Sequence, residues 1–169
     1  MDRLDLRRLR LRPGERREER MELALDPFVL GGQRYDVTPS HVAVRLAITR
    51  ASGATVFELE LDARVGGPCM RCLAQAELEV GVRARELHEA SAPEDDELRS
   101  EYVVDEHLLV GAWARDAIVL GIPEKVLCRP DCAGLCPDCG ADLNVEPHEH
   151  VERVADPRWA VLERLRAEL

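Results

Sequence analysis

The sequence predicts an α+β fold: an antiparallel β-sheet meander with two short packing helices and a C-terminal cysteine-rich knuckle segment. Three observations carry this prediction. Apolar and polar residues alternate from 41 to 87, apolar residues recur at helical spacing in 106–120 and 156–169, and four of the six cysteines fall within 128–139. A period of two is typical of strands with one buried face, and a period near 3.6 of amphipathic helices.

Composition limits the class of protein. The chain has 169 residues, of which 46% are apolar, and this fits one soluble globular domain with or without a small module. Aromatic residues make up 4%, so the core must be aliphatic, and Lys125 is the only lysine. The net charge of −10 argues against a protein that wraps nucleic acid through bulk charge.

The sequence also indicates a compartment. No stretch approaches the ~18 consecutive apolar residues that would span a bilayer. The first twenty residues alternate leucine with arginine and lack the continuous apolar run of a secretory signal. We therefore expect a cytoplasmic protein that does not act at a membrane, with cysteines that are thiols or metal ligands rather than disulfides.

We expect residues 1–20 to form an Arg-rich N-terminal strand or arm and residues 21–127 to form the sheet domain. Met21, Leu23 and Leu25 alternate with polar or small residues up to Asp26-Pro27, which predicts a short strand. Three longer alternating strands follow, and their short joins predict an antiparallel meander. Their apolar faces run from Val42 to Ile48, from Phe57 to Val65 and from Ala74 to Ala84. The first cysteine pair then lies at the tip of a hairpin.

The second half of the chain mixes loops and helices. Residues 86–106 carry nine acids and one arginine, which indicates a solvated acidic loop. We expect a helix over 106–120, capped by Asp105, with an apolar face of Leu109, Ala112, Trp113, Ala117 and Leu120. A cysteine-rich segment, 128–150, precedes a C-terminal helix, 156–169, which Asp156-Pro157 opens and which packs on the main domain.

The cysteines form two pairs with two-residue spacing, and Gly140 follows the second pair. Such turns aim two sulfurs at one point, because a glycine after the second cysteine adopts the positive φ that the turn needs. Two turns together supply the four thiolates of a closed structural zinc site. The first predicted ligand set is therefore Cys69, Cys72, Cys136 and Cys139.

A local ligand set is equally compatible with the spacing. Cys128, Cys132, Cys136 and Cys139 could bind one metal by themselves, and His148 and His150 could replace one or two of these ligands. Binding of no metal at all is a third possibility. Either zinc site would hold about one ion per chain.

Catalytic motifs are missing from the sequence. A redox cysteine pair needs a helix N-terminus in a βαβ framework, and a hairpin tip followed by a strand does not provide one. No His-Glu-x-x-His, phosphate loop or Gly-x-Ser-x-Gly occurs. We therefore expect no catalytic residue and no small-molecule substrate. A thiol redox or zinc-transfer protein that uses its Cys-x-x-Cys pairs is the alternative.

Several motifs in fixed order resemble the YceD family, the bacterial large ribosomal RNA subunit accumulation proteins. The likeness covers about residues 20 to 169. The motifs are Cys69-Met-Arg-Cys72-Leu73, Trp113-x-Arg115-Asp116, Leu127-Cys128, Cys132-x-Gly134-Leu135-Cys136-Pro137-x-Cys139-Gly140, Leu143-Asn144 and Asp156-Pro157-Arg158-Trp159. Many relatives have Cys-x-Cys where this chain has His148-Glu149-His150.

The resemblance implies a non-enzymatic role in the processing and accumulation of 23S ribosomal RNA and in assembly of the large ribosomal subunit. Partners would be the 23S rRNA precursor or large-subunit ribosomal proteins. Arginine suits phosphate contacts, and residues 1–20 carry a local charge of +3. The candidate contacts in that stretch are Arg3, Arg7, Arg8 and Arg10.

Overall fold

A computed structural model describes residues 3–93, 96–146 and 149–150. The chain divides into two compact units, Met1–Cys132 and Ala133–Leu169. The expected C-terminal helix over 156–169 lies outside the described residues. The strands are β1 (Leu4–Asp5), β2 (Arg16–Ala24), β3 (Phe28–Leu30), β4 (Gln33–Thr38), β5 (His41–Arg50), β6 (Thr55–Pro68), β7 (Gln75–His88), β8 (Val103–Val104) and β9 (His107–Leu108), and the helix is α1 (Val110–Gly121).

The meander expected from the alternation is confirmed. β5, β6 and β7 pair antiparallel in chain order, and β6 and β7 pair along their whole length, from Thr55 opposite His88 to Pro68 opposite Gln75. The first cysteine pair lies at the tip of this hairpin, as expected. Every residue of the apolar sets of β5 and β6 that begin at Val42 and Phe57 is buried.

β6 is the central strand of the larger sheet. The strand order is β2-β5-β6-β4-β3, and β7 occupies the other edge of β6. The edge of β6 that does not pair with β7 is shared by two strands. β5 pairs with residues 55–61 of β6 on this edge, and β4 pairs with residues 64–66. β2 crosses the boundary expected at residue 20 and pairs with β5 from Arg16 onward.

A small second sheet joins the N-terminus to the start of the helix. β1 pairs with β9, and β9 pairs with β8. Asp105 and Glu106 link β8 to β9 with φ values of 49° and 59°, a left-handed pair that suits a two-residue hairpin turn. Asp105 is therefore a turn residue and does not cap a helix. The helix begins at Val110, four residues later than expected.

The buried face of the helix also differs from the expected one. The buried residues of α1 are Val110, Trp113, Ala114 and Ile118, which share one face at three- and four-residue spacing. Leu120, expected inside, is 87% exposed. The mixed pattern of sheet and one helix among the described residues agrees with the α+β class, whereas the second helix is not matched within that part of the chain.

The central strand sets the stability of the first unit. We expect Leu59→Ala to lower the free energy of unfolding by about 2–5 kcal/mol, because it leaves a cavity in the core; Leu59 is fully buried. Leu120→Ala removes the same atoms from an exposed site and should change stability by less than about 0.5 kcal/mol. Urea unfolding of the two variants measures both values, and equal losses would contradict this account of the core.

Candidate metal centre

The hairpin tip, residues 69–74, is a tight turn that holds two sulfurs. The backbone N–H of Cys69 donates to the Ala74 carbonyl at 2.7 Å, and that of Leu73 donates to the Cys69 carbonyl at 2.9 Å. Leu73 has a φ of 63°, in the left-handed region. The turn therefore places the sulfurs of Cys69 and Cys72 on the same side of the tip.

The segment that follows α1 returns across the hairpin tip. The N–H of Met70 donates to the Val126 carbonyl at 2.8 Å. The Arg71 guanidinium donates to the Cys132 carbonyl at 2.7 Å. Val126 is buried, so this return is anchored in the core. It brings Cys128 and Cys132 beside the first cysteine pair.

These four cysteines form one cluster, the four-thiol group, within the first unit. All four sulfurs lie within 4.8 Å of one another. The sulfurs of Cys69 and Cys132 are 3.9 Å apart, and those of Cys72 and Cys128 are 3.6 Å apart. A tetrahedral zinc ion with Zn–S bonds of about 2.3 Å requires sulfurs separated by about 3.8 Å. The geometry therefore fits a four-thiolate zinc site.

The environment shifts the pKa values of the Cys69 and Cys128 thiols in opposite directions. Burial by itself raises the pKa of the Cys69 thiol. The backbone N–H groups of Cys72, Arg71 and Cys128 nevertheless lower that pKa to about 6. The hydrogen bond of Cys128 to Cys72, and after it burial, raises the Cys128 pKa to about 12. Neighbouring thiolates repel one another, so a bound cation would favour ionisation of the whole group.

A second cluster, the three-ligand group, lies in the second unit and comprises Cys136, Cys139 and His150. The Cys136 N–H donates to the Ala141 carbonyl, and the Gly140 N–H donates to the Cys136 carbonyl at 2.9 Å. Gly140 has a φ of 75°, as expected for the knuckle turn. The Cys136 sulfur lies 3.1 Å from the His150 Nε2. A tetrahedral zinc ion would place these two atoms about 3.6 Å apart. A small increase in their separation would therefore let both atoms bind one zinc ion.

The structure groups the cysteines differently from both sequence-predicted ligand sets. The first set joined Cys69 and Cys72 to Cys136 and Cys139, and the local set joined Cys128 and Cys132 to the same knuckle. The physical reason is that residues 126–132 return across the hairpin tip. This return places Cys128 and Cys132 beside Cys69 and Cys72. Of the two predicted histidines, His150 joins the knuckle and His148 lies outside the described residues.

The predicted contact residues Arg3, Arg7, Arg8 and Arg10 are exposed in the first unit. Arg7 and Arg8 each pair with Asp5, at 3.1 and 3.3 Å. Binding of RNA or a partner by these four residues stays a prediction. Sequence reasoning missed Arg71, which donates to the Cys132 carbonyl, because no spacing rule links it to a cysteine 61 residues away.

These features first define a class of protein: a mainly antiparallel sheet protein with cysteine groups that could hold a metal ion. Comparison with known proteins then identifies the family. Residues 57–166 match the model of the family described as "Large ribosomal RNA subunit accumulation protein YceD". The chain belongs to the YceD family.

Curated relatives come from mycobacteria. An uncharacterized protein of Mycobacterium tuberculosis is 41% identical over 100 residues, covering 57% of this chain and 48% of that protein. An uncharacterized protein of Mycobacterium leprae is 35% identical over 98 residues, covering 56% and 45%. The chain spans about half the length of the curated relatives it matches. No solved structure matches the chain.

Within the part of the chain that the structure describes, no helix has the length and apolar character needed to cross a membrane.

The grouping of the cysteines can be tested by metal content. We expect Cys69→Ser and Cys132→Ser each to remove the same ion, because their sulfurs belong to one group. Cys139→Ser should remove a different ion, and Cys69→Ser combined with Cys139→Ser should remove both. Each ion corresponds to about one zinc per chain, which native mass spectrometry counts directly. Retention of all zinc by Cys132→Ser would instead support the set of Cys69, Cys72, Cys136 and Cys139.

Proposed function

We propose that this protein is a non-enzymatic ribosome biogenesis factor. It supports the processing and accumulation of 23S ribosomal RNA and so the assembly of the large ribosomal subunit in the cytoplasm. The observation that carries this proposal is the family match over residues 57–166, whose description names large ribosomal RNA subunit accumulation. Its partners are the 23S rRNA precursor or large-subunit ribosomal proteins.

We propose zinc as a structural cofactor. The spacing of the four sulfurs supports this choice, because it matches a closed tetrahedral site. Cys69 and Cys132 are fully buried, so substrate has no access to half of the ligands. A closed site contributes to the fold and offers no open position for a reacting water. A closed zinc site of this kind favours a scaffold over an enzyme.

The net charge of the chain limits how the protein can bind its partners. The chain carries a net charge of −10, and much of the acidity falls in 86–106. Bulk attraction to RNA is therefore weak, so contact with RNA must be local. The acidic stretch instead complements the basic surfaces of ribosomal proteins.

Depletion of the protein tests the function. We expect the ratio of large to small subunits in a sedimentation profile to fall, with precursor 23S RNA accumulating, because large-subunit assembly stalls. Expression of the wild-type chain should restore the ratio. An unchanged ratio and unchanged 23S processing after full depletion would overturn the proposal.

The alternative function, thiol redox or zinc transfer, predicts a different behaviour of the cysteines. Cys69 has a lowered thiol pKa but is fully buried, so its reactivity is not accessible to a protein substrate. We expect slow alkylation of all four thiols of the four-thiol group in the zinc-loaded native protein. Mass spectrometry after brief treatment with iodoacetamide measures the labelling. Rapid labelling together with facile zinc loss would favour the alternative.

A further inference from the structure

A pocket opens at the end of the hairpin opposite the cysteines. Three polar residues lie side by side on the core-facing side of the sheet there: Arg50 is opposite Thr55, and Thr55 is opposite His88. The Arg50 guanidinium donates to the Thr55 hydroxyl at 2.7 Å. The apolar core of the sheet therefore ends in a polar row, which forms the floor of the pocket.

The N-terminal stretch and the loop after β7 form the walls of this cavity of about 520 Å³, the basic pocket. Leu9 and Leu11 pack against the core and line one wall, with Ile48 and Val103 beside them. Between the two leucines, Arg10 has a φ of 42° and points outward as an exposed residue. Pockets for small ligands commonly have volumes of about 300–1,000 Å³ and mix apolar walls with a few polar groups.

The charge of the basic pocket contrasts with that of the chain. Four arginines and two acids line it, a net +2, in a chain of net charge −10. Three other grooves on the described residues carry at most a net +1. Arg7 is paired with Asp5 at 3.1 Å. Within the described ranges, the remaining pocket arginines, Arg10, Arg50 and Arg99, form no ion pair.

Two of these arginines are already held in position. Arg50 is fixed by its bond to Thr55, and Arg99 donates to the Ala92 carbonyl at 3.1 Å. A guanidinium has five N–H donors in a planar fork, so each retains donors for a further acceptor. Held arginines lose less side-chain entropy when they bind, and their fork fits two oxygens of one phosphate.

His88 provides an independent sign of a ligand. It is 8% exposed, and its Nδ1 has no hydrogen-bond partner among the described residues. A buried polar atom without a partner is costly. Burial, followed by the positive charges of Arg99 and Arg50, lowers the pKa of the imidazole and so favours its neutral form. A neutral ring can donate one hydrogen bond to an anionic ligand beside the two arginines.

We propose that the basic pocket binds a nucleotide of single-stranded RNA. Arg50 and Arg99 hold a phosphate, His88 hydrogen-bonds the same nucleotide, and the aliphatic wall of Leu9, Leu11 and Val103 receives sugar and base. Arg10 at the rim contacts the next phosphate. The choice of RNA rather than another phosphate polymer rests on the proposed role with ribosomal RNA. The basic pocket is then the place on the protein where that RNA binds.

A binding experiment with matched variants tests the pocket. The probe is a fluorescein-labelled single-stranded RNA of about ten nucleotides, a length typical of single-strand binding sites, followed by fluorescence anisotropy. We expect Arg99→Gln to raise the Kd about tenfold, because it removes a charge-assisted hydrogen bond. Arg83→Gln removes the same charge from the open face of the sheet and should change the Kd by less than about twofold. Equal effects of both variants would show that binding depends on overall charge alone, and they would overturn the proposed role of the pocket.

Two further measurements keep the proposal falsifiable if Arg99→Gln fails to fold. In the wild-type protein, the ring nitrogen resonances of His88 should shift when the RNA is added, whereas those of the exposed His41 should not. An unmoved His88 at saturating RNA overturns the proposal, and so does a poly-glutamate peptide that displaces the RNA as well as unlabelled RNA does. RNA binding in the pocket with normal subunit ratios after depletion would overturn only the proposed biological role.

Discussion

The pairing of β6 along both of its edges is the constraint on which the rest of the first unit depends. One edge is filled by β5 and β4 in succession and the other by β7 from end to end. A central strand of this kind cannot slip, because a shift of one residue would turn its buried face to solvent. The register fixed in β6 therefore fixes the position of both ends of the β6–β7 hairpin.

The two ends of that hairpin carry different chemistry. One end holds the tip with Cys69 and Cys72, and the other holds the row of Arg50, Thr55 and His88. About 40 Å of strand separates them, at ~3.3 Å per residue. Side chains this far apart with no shared partners act on stability independently. The four-thiol group and the basic pocket can therefore be altered separately by substitution.

The strands could be predicted from the sequence because one buried face imposes a period of two, and Val42, Phe57 and their neighbours follow it without a break. The helix start could not, because Asp105 suits a cap and a left-handed turn equally well, and the pairing of β8 with β9 decides between them. The cysteine grouping depends on the buried Val126 and on Arg71, which determine the path of the chain after α1. Spacing along the sequence does not encode such a path. It does not encode the position of His88 either, because only the strand register brings His88 into one row with Thr55 and Arg50.

The distribution of charge gives the acidic composition a physical role. A chain with a net charge of −10 repels a polyanion at most approaches, so nonspecific attraction to phosphate is weak. The basic pocket sits in the same chain with held guanidinium groups and a net positive lining. Its attraction falls off within about 8 Å at physiological salt, whereas the surrounding acids oppose contact elsewhere. A strand that threads a phosphate into the pocket gains the local attraction, and one that lies across the surface does not. The acidic surface therefore favours selective contact with a polyanion over tight contact.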